Sequence, residues 1–170
     1  IDRAAEWASE KLNTKVEVGH ITIGLLNRVA VRDFYVADWD GDTLLYVKRA
    51  DAHLASLASL AKQNLVINHA EVKGGKFVVK ETTRGSFGVK EITDQLVNRE
   101  KESNFRLDIR SIDGSGIDFS LIRFDEPTEA GIDFADMQLF EVGATLYDFS
   151  VNCGAVESNF KNLSFWERSG

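Results

Sequence analysis

Two periodicities alternate along the chain, and their order predicts the elements. Over residues 1–12, Ile1, Ala4, Ala5, Ala8 and Leu12 fall near one stripe while Asp2, Arg3, Glu6, Glu10 and Lys11 lie elsewhere, which predicts a short amphipathic helix stopping at Asn13. The period then changes to two. Val16 and Val18 alternate with Lys15 and Glu17, Ile21 and Ile23 follow, and Val29 and Val31 lead into Phe34 and Val36. The apolar parity switches at Arg32-Asp33, as a β-bulge would make it. Asp40-Gly41 signals a tight turn, and Leu45, Val47, Ala52 and Leu54 continue beyond it. Residues 15–54 therefore predict consecutive antiparallel strands.

Leucines at 54, 57 and 60 suit a short helical turn. The segments 65–70 and 76–80 flank Lys73-Gly74-Gly75, which predicts a hairpin, and helical spacing returns over 87–98. Further on, Phe105, Leu107 and Ile109 alternate before Asp113-Gly114-Ser115-Gly116, a second predicted turn, with Ile117, Phe119 and Leu121 beyond it. Three more strands are predicted around 134–139, 144–151 and 156–165. No linker interrupts the pattern, so residues 1–170 predict one β-rich segment. Segments 66–79 and 107–119 share a strand–Gly–strand shape, the texture of a sheet built by repetition.

Composition sharpens this picture. The 170 residues carry a net charge of −7, against the basic footprint that nucleic acid requires. One cysteine, Cys153, permits neither a disulfide framework nor a cysteine zinc site within the chain. Thirteen glycines stand against a single proline, as a sheet that needs turns and uninterrupted N–H donors would require. No stretch approaches the roughly 20 apolar residues of a membrane helix. A start at Ile1 inside a helical pattern, and an end at Ser169-Gly170, suggest a piece of a longer protein.

Fragments that imitate active sites have plainer explanations. Asp38-Trp39-Asp40-Gly41-Asp42 gathers carboxylates, but its glycine stands fourth and Arg49 twelfth, where an EF-hand needs a sixth-position glycine and a twelfth-position glutamate. Ser59-Leu60-Ala61-Lys62 lacks the companion motifs of penicillin-recognising enzymes. His20, His53 and His69 have no partner at metal-ligand spacing, and Cys153 has no nearby base. Pairs such as Asp113 with Asp118 belong to polar strand faces. The residues therefore predict no catalysis, no cofactor and no metal.

The order of features resembles a known family. Leu12-Asn13-Thr14-Lys15-Val16-Glu17-Val18-Gly19, Leu25-Leu26-Asn27-Arg28-Val29, Asp40-Gly41-Asp42-Thr43-Leu44-Leu45 and the closing Leu163-Ser164-Phe165-Trp166-Glu167-Arg168-Ser169-Gly170 together resemble the N-terminal region of the AsmA-like superfamily, and most closely its TamB-like proteins of the Bacteroidetes. One departure is Gly85-Ser86-Phe87-Gly88, where asparagine commonly follows the glycine. The resemblance implies a curved, open β-sheet (a β-taco) with an N-terminal helix and one or two short helices. It also implies a periplasmic location, an inner-membrane anchor upstream of Ile1, and passage of phospholipid along an apolar groove towards the outer membrane. An outer-membrane barrel protein is the further implied partner. Candidate lipid-facing residues are Phe105, Leu107 and Ile109 opposite Ile117, Phe119 and Leu121, with Leu163 and Phe165 further on. Two other expectations compete: a non-catalytic assembly scaffold that pairs through strand edges, and a closed β-sandwich binding module filled by the same side chains.

Overall fold

A computed structural model of the chain describes residues 5–6, 9–10, 12–58, 64–83, 85–88, 90, 94, 106–123, 136–152 and 155–167. The protein is mainly β. Its strands are β1 (Val16–Ile23), β2 (Arg28–Ala37), β3 (Thr43–Leu54), β4 (Asn64–Lys80), β5 (Arg106–Ile122), β6 (Asp136–Asn152) and β7 (Ala155–Glu167). All seven lie in one sheet in sequence order, and that sheet does not close into a barrel. A closed sandwich would need a second sheet, and the described strands all belong to one. Ala5, Glu6, Ser9, Glu10 and Leu12 are helical, as the amphipathic stripe predicts; the rest of 1–11 lies outside the described residues.

The sheet departs from a pure antiparallel meander at one place. β4 and β5 run parallel, Leu65 opposite Leu107 and Phe77 opposite Phe119, with residues 81–105 between them in sequence. A parallel pair cannot be joined by a tight turn and needs a connection of about a dozen residues or more. The helical spacing over 87–98 falls within this connection. Gly88, Lys90 and Asp94 are helical; most of that segment lies outside the described residues. The predicted turn over 54–62 is a short 3-10 turn at Leu57 and Ala58, with 59–63 outside the described residues.

Two predicted hairpins are absent. Lys73-Gly74-Gly75 and Asp113-Gly114-Ser115-Gly116 lie inside single 17-residue strands, and the strands predicted around 134–139 and 144–151 merge into β6. The physical reason is the backbone of the glycines. Gly74 and Gly116 have φ of 68° and 64°, a left-handed step that flips side-chain parity and bends a strand without reversing it. The segments with the shared strand–Gly–strand shape are thus parallel neighbours, and a side chain on Gly116 would abut Gly74.

These parity breaks line up across the sheet. One crease passes through Gly19, Asp33 (φ 52°), Lys48, Gly74, Gly116 and Glu141 (φ 52°), each between register pairs that flank it on the neighbouring strand. A second lies at 68–69, 110–111 and Asp148 (φ 51°). Bending neighbouring strands at the same level turns a flat sheet into a trough whose axis runs across the strands. Close approach at the first crease also fixes Gly75, where a Cβ would lie 2.3 Å from the Tyr46 carbonyl oxygen.

One end of the trough is capped. Val16, Val36 and Leu44 are buried, with Leu12 of the helix, Phe34, Leu45 and Phe77 packed against them. The Ser9 hydroxyl accepts from Val16 N at 2.9 Å, and Thr14 donates its hydroxyl to the Ala37 carbonyl at 2.9 Å, which ties the helix to β1 and β2.

Candidate functional site: an apolar trough face

Residues paired in register share a face, so the pairing table sorts the side chains. On one face Val16, Val36, Leu45 and Phe77 follow each other across β1–β4, and Phe77 continues to Phe119 and Leu139 on β5 and β6. On the far side of the first crease the sequence is Ile21, Val31, Ala50, Val72, Gly114, Ala144 and Leu163. Beyond the second crease it is Ile67, Ile109 and Phe149. Each parity break keeps apolar residues on the same side as the strand bends. Without the breaks, alternation would carry half of them to the other face.

Of the sequence-predicted lipid-facing residues, Leu107, Ile109, Ile117, Phe119 and Leu121 all belong to this face of β5. They are not opposed across a hairpin: they run in line along one strand, divided by the two creases. Leu163 and Phe165 share the face on β7 and are exposed, and Phe105 lies outside the described residues. The Phe77 and Phe119 rings meet at 5.8 Å in a tilted arrangement. Away from the capped cluster most side chains of the face are half-buried. Away from the capped end, that is the state of an apolar surface with neighbours beside it and, among the described residues, no layer above it.

The opposite face is charged, and its charges stand in rows. Arg28, His53 and His69 are register neighbours; the next row is Ala30, Asp51, Glu71 and Asp113; the row after is His20, Arg32, Arg49 and Lys73. Like charges directly opposite one another are unfavourable, and pairing along each strand offsets this. Arg49 forks onto Asp51 at 2.5 and 2.8 Å, and Lys73 pairs with Glu71 at 2.8 Å. The hydrogen bond from Arg49 holds the Asp51 carboxyl below its usual range, with burial opposing the effect.

Sequence spacing gave no hint that His53 and His69 are direct cross-strand partners. His69 Nδ1 shares a hydrogen bond of 2.9 Å with Ser111 Oγ, its Nε2 lies 3.8 Å from Asp113, and Asp113 also accepts from Thr145 at 2.9 Å. The histidines line a shallow depression of about 420 Å³ with Arg28, Asp51 and Glu71. Among the described residues, no three His, Cys, Asp or Glu side chains are placed to hold a metal ion. The group is a ladder of cross-strand pairs on an exposed face.

The calcium-like loop is a structural hub. The buried Asp38 carboxylate accepts from Asp40 N at 3.0 Å and Asp42 N at 2.8 Å, closing the β2–β3 turn. Asp40 instead holds Thr83 N and its hydroxyl, and Asp42 pairs with Lys80, raising that lysine's pKa. Asp38 thus closes the β2–β3 turn, and Asp40 and Asp42 fasten the end of β4 to it.

Together these features define an open, groove-like seven-stranded sheet with one apolar and one charged face. No protein-family model and no curated protein matches the chain. Among the described residues, no helix is long and apolar enough to cross a membrane.

Proposed function

We propose that the chain is a periplasmic segment of a TamB-like protein of the AsmA-like superfamily, anchored in the inner membrane by a helix upstream, and that it carries phospholipid towards the outer membrane. The observation that carries this reading is the apolar face, which runs through all seven strands with no second sheet over it among the described residues. An apolar face must be buried, partnered or covered by lipid. Acyl chains gain roughly 25 cal/mol per Å² of contact without any polar recognition motif, so lipid can slide along such a face. No catalysis and no cofactor enter the mechanism. The side chains exclude water and guide the tails, and the charged outer face keeps the sheet in solution.

Lipid extraction followed by mass spectrometry tests this directly. The purified chain is expected to carry phospholipid, and Phe119→Arg, placing a charge mid-trough, is expected to abolish it while far-UV circular dichroism stays strand-rich. A chain that purifies free of lipid from membranes rich in phospholipid would sink the reading.

A second reading has its own observation. The outer edge of β7 pairs with no further strand among the described residues, and Phe160 and Trp166 on it are exposed. Such an edge is a template for strand addition, as an assembly scaffold for an outer-membrane barrel protein would use. Lipid-free protein that captures a barrel partner through β7 favours this scaffold over the conduit.

A further inference from the structure

The β1–β2 hairpin ends in a tip that neither the trough nor the charged face explains. Leu25 is 88% and Leu26 80% exposed, and Ile23 just before them is 61% exposed. Surface leucines scattered singly are ordinary, but three large aliphatic side chains at one turn form a patch.

The turn that presents them is closed and firm. Gly24 N donates to the Arg28 carbonyl at 2.8 Å, Arg28 N to the Leu25 carbonyl at 3.4 Å, and Leu54 N to the Asn27 carbonyl at 2.9 Å. Leu26 and Asn27 both adopt positive φ, 57° and 60°, the two central positions of a type I′ turn. That turn favours Asn-Gly, and a leucine at its first central position is held in a conformation L-residues avoid. A residue that strains the backbone and packs against nothing contributes nothing to folding.

The charge distribution indicates what the tip meets. Immediately behind it stands the row of Arg28, His53 and His69, with Arg28 in no ion pair among the described residues. The carboxylates Asp51 and Glu71 are set one row further back. In a chain of net charge −7, the tip is thus apolar at its end and carries the guanidinium of Arg28 at its base. Asn27 turns its side-chain amide back to the Ala55 carbonyl at 3.4 Å, so the outward end offers aliphatic carbon and no recognition ring of polar groups. Aliphatic residues backed by a guanidinium suit hydrocarbon beneath a layer of phosphate, the arrangement of a lipid surface.

We propose that the β1–β2 tip docks on a phospholipid bilayer, with Ile23, Leu25 and Leu26 entering the acyl boundary and Arg28 lying among the phosphates. The proposal does not rest on the conduit reading, since a trough that carries no lipid could still dock by this tip.

Flotation with vesicles of phosphatidylethanolamine and phosphatidylglycerol tests it on the whole chain. Leu25→Asp with Leu26→Asp, at exposed positions, is expected to lower vesicle partition by about ten-fold or more per leucine. A fluorophore on Leu25→Cys, in a Cys153→Ser background, is expected to shift its emission to the blue when vesicles are added. Arg28→Gln is expected to weaken binding on these vesicles and to leave it unchanged on pure phosphatidylcholine. Lipid co-purified in the trough is expected to persist in Leu25→Asp/Leu26→Asp, which separates failure of the tip from failure of the conduit. Equal partition of the folded double variant and the parent, or a label that stays in water while the tip cross-links to a protein, would overturn the proposal.

Discussion

The two ends of the sheet carry the same sequence pattern and have different fates. At the β1–β3 end, Val16, Val36 and Leu44 are buried, and the helix lays Leu12 across the cluster. At the β7 end, Phe160, Leu163 and Phe165 are as apolar as their counterparts and stand exposed, with Phe140 and Trp166 exposed on the other face. On the first half Arg49–Asp51 and Lys73–Glu71 pair along their strands, whereas on β6 and β7 Lys161 lies over the Tyr147 ring at 5.7 Å. Alternation fixes which face a residue takes; burial depends on whether something lies over that face. At one end a turn of helix does.

The largest expected effect breaks this comparison with one substitution made twice. Leu44→Ala opens a cavity in the capped cluster and is expected to cost about 2–4 kcal/mol. Leu163→Ala removes the same atoms from the open end, where water already reaches them, and is expected to change stability by less than about 0.5 kcal/mol. Urea unfolding of lipid-free protein reads both. Equal losses would mean that the open end is covered by packing after all.

A smaller effect concerns left-handed residues, which both ends contain. At the β1–β2 tip the residue is Leu26, whose branched side chain is strained there; on β6 it is Asp148, a type that tolerates the conformation. Leu26→Asn is expected to raise stability by up to about 1 kcal/mol, while Asp148→Asn leaves it within about 0.5 kcal/mol. Thermal unfolding of the two variants separates relief of strain from a general tolerance for asparagine. Stabilisation by Leu26→Asn alone means that the leucine is kept at a cost to folding.

Much of this architecture was legible in the alternation itself. The strands of the first half, the helix that caps them and the parity switch at Asp33 all follow from where Val and Ile stand relative to Lys, Arg and Asp. The creases of the long strands were not legible, because Gly-rich segments such as 73–75 and 113–116 signal a hairpin turn and a left-handed bend alike. Only the register of a neighbouring strand tells them apart, and that is a non-local fact. The same blindness hid the parallel β4–β5 pair and the His53–His69 contact. On the trough face, the side chains of β5 were identified from period two, but their arrangement in line rather than in opposition required the creases.

The smallest expected effect is electrostatic and belongs to the capped half. Asp51 accepts both Arg49 nitrogens, and this holds its carboxyl below the ordinary value of 3.8 despite the opposing effect of burial. A carboxyl with a depressed folded pKa stabilises the fold above its unfolded pKa and loses that contribution as pH falls through the folded value. The parent is therefore expected to lose stability between about pH 5 and the acid limit of that shift, and Arg49→Gln is expected to flatten this part of the profile. Near neutrality the two proteins are expected to lie close together, for two reasons. Both side chains are partly exposed to solvent, which screens the pair. Arg49 also stands in register with Arg32 and Lys73, so removing it relieves repulsion along that row. Hydrogen exchange resolved by strand, measured across this pH range, is expected to show the change on β2–β4 and none on β7. A change of equal size on β7 would mean that the two ends open as one unit, and the division between them would be one of burial alone.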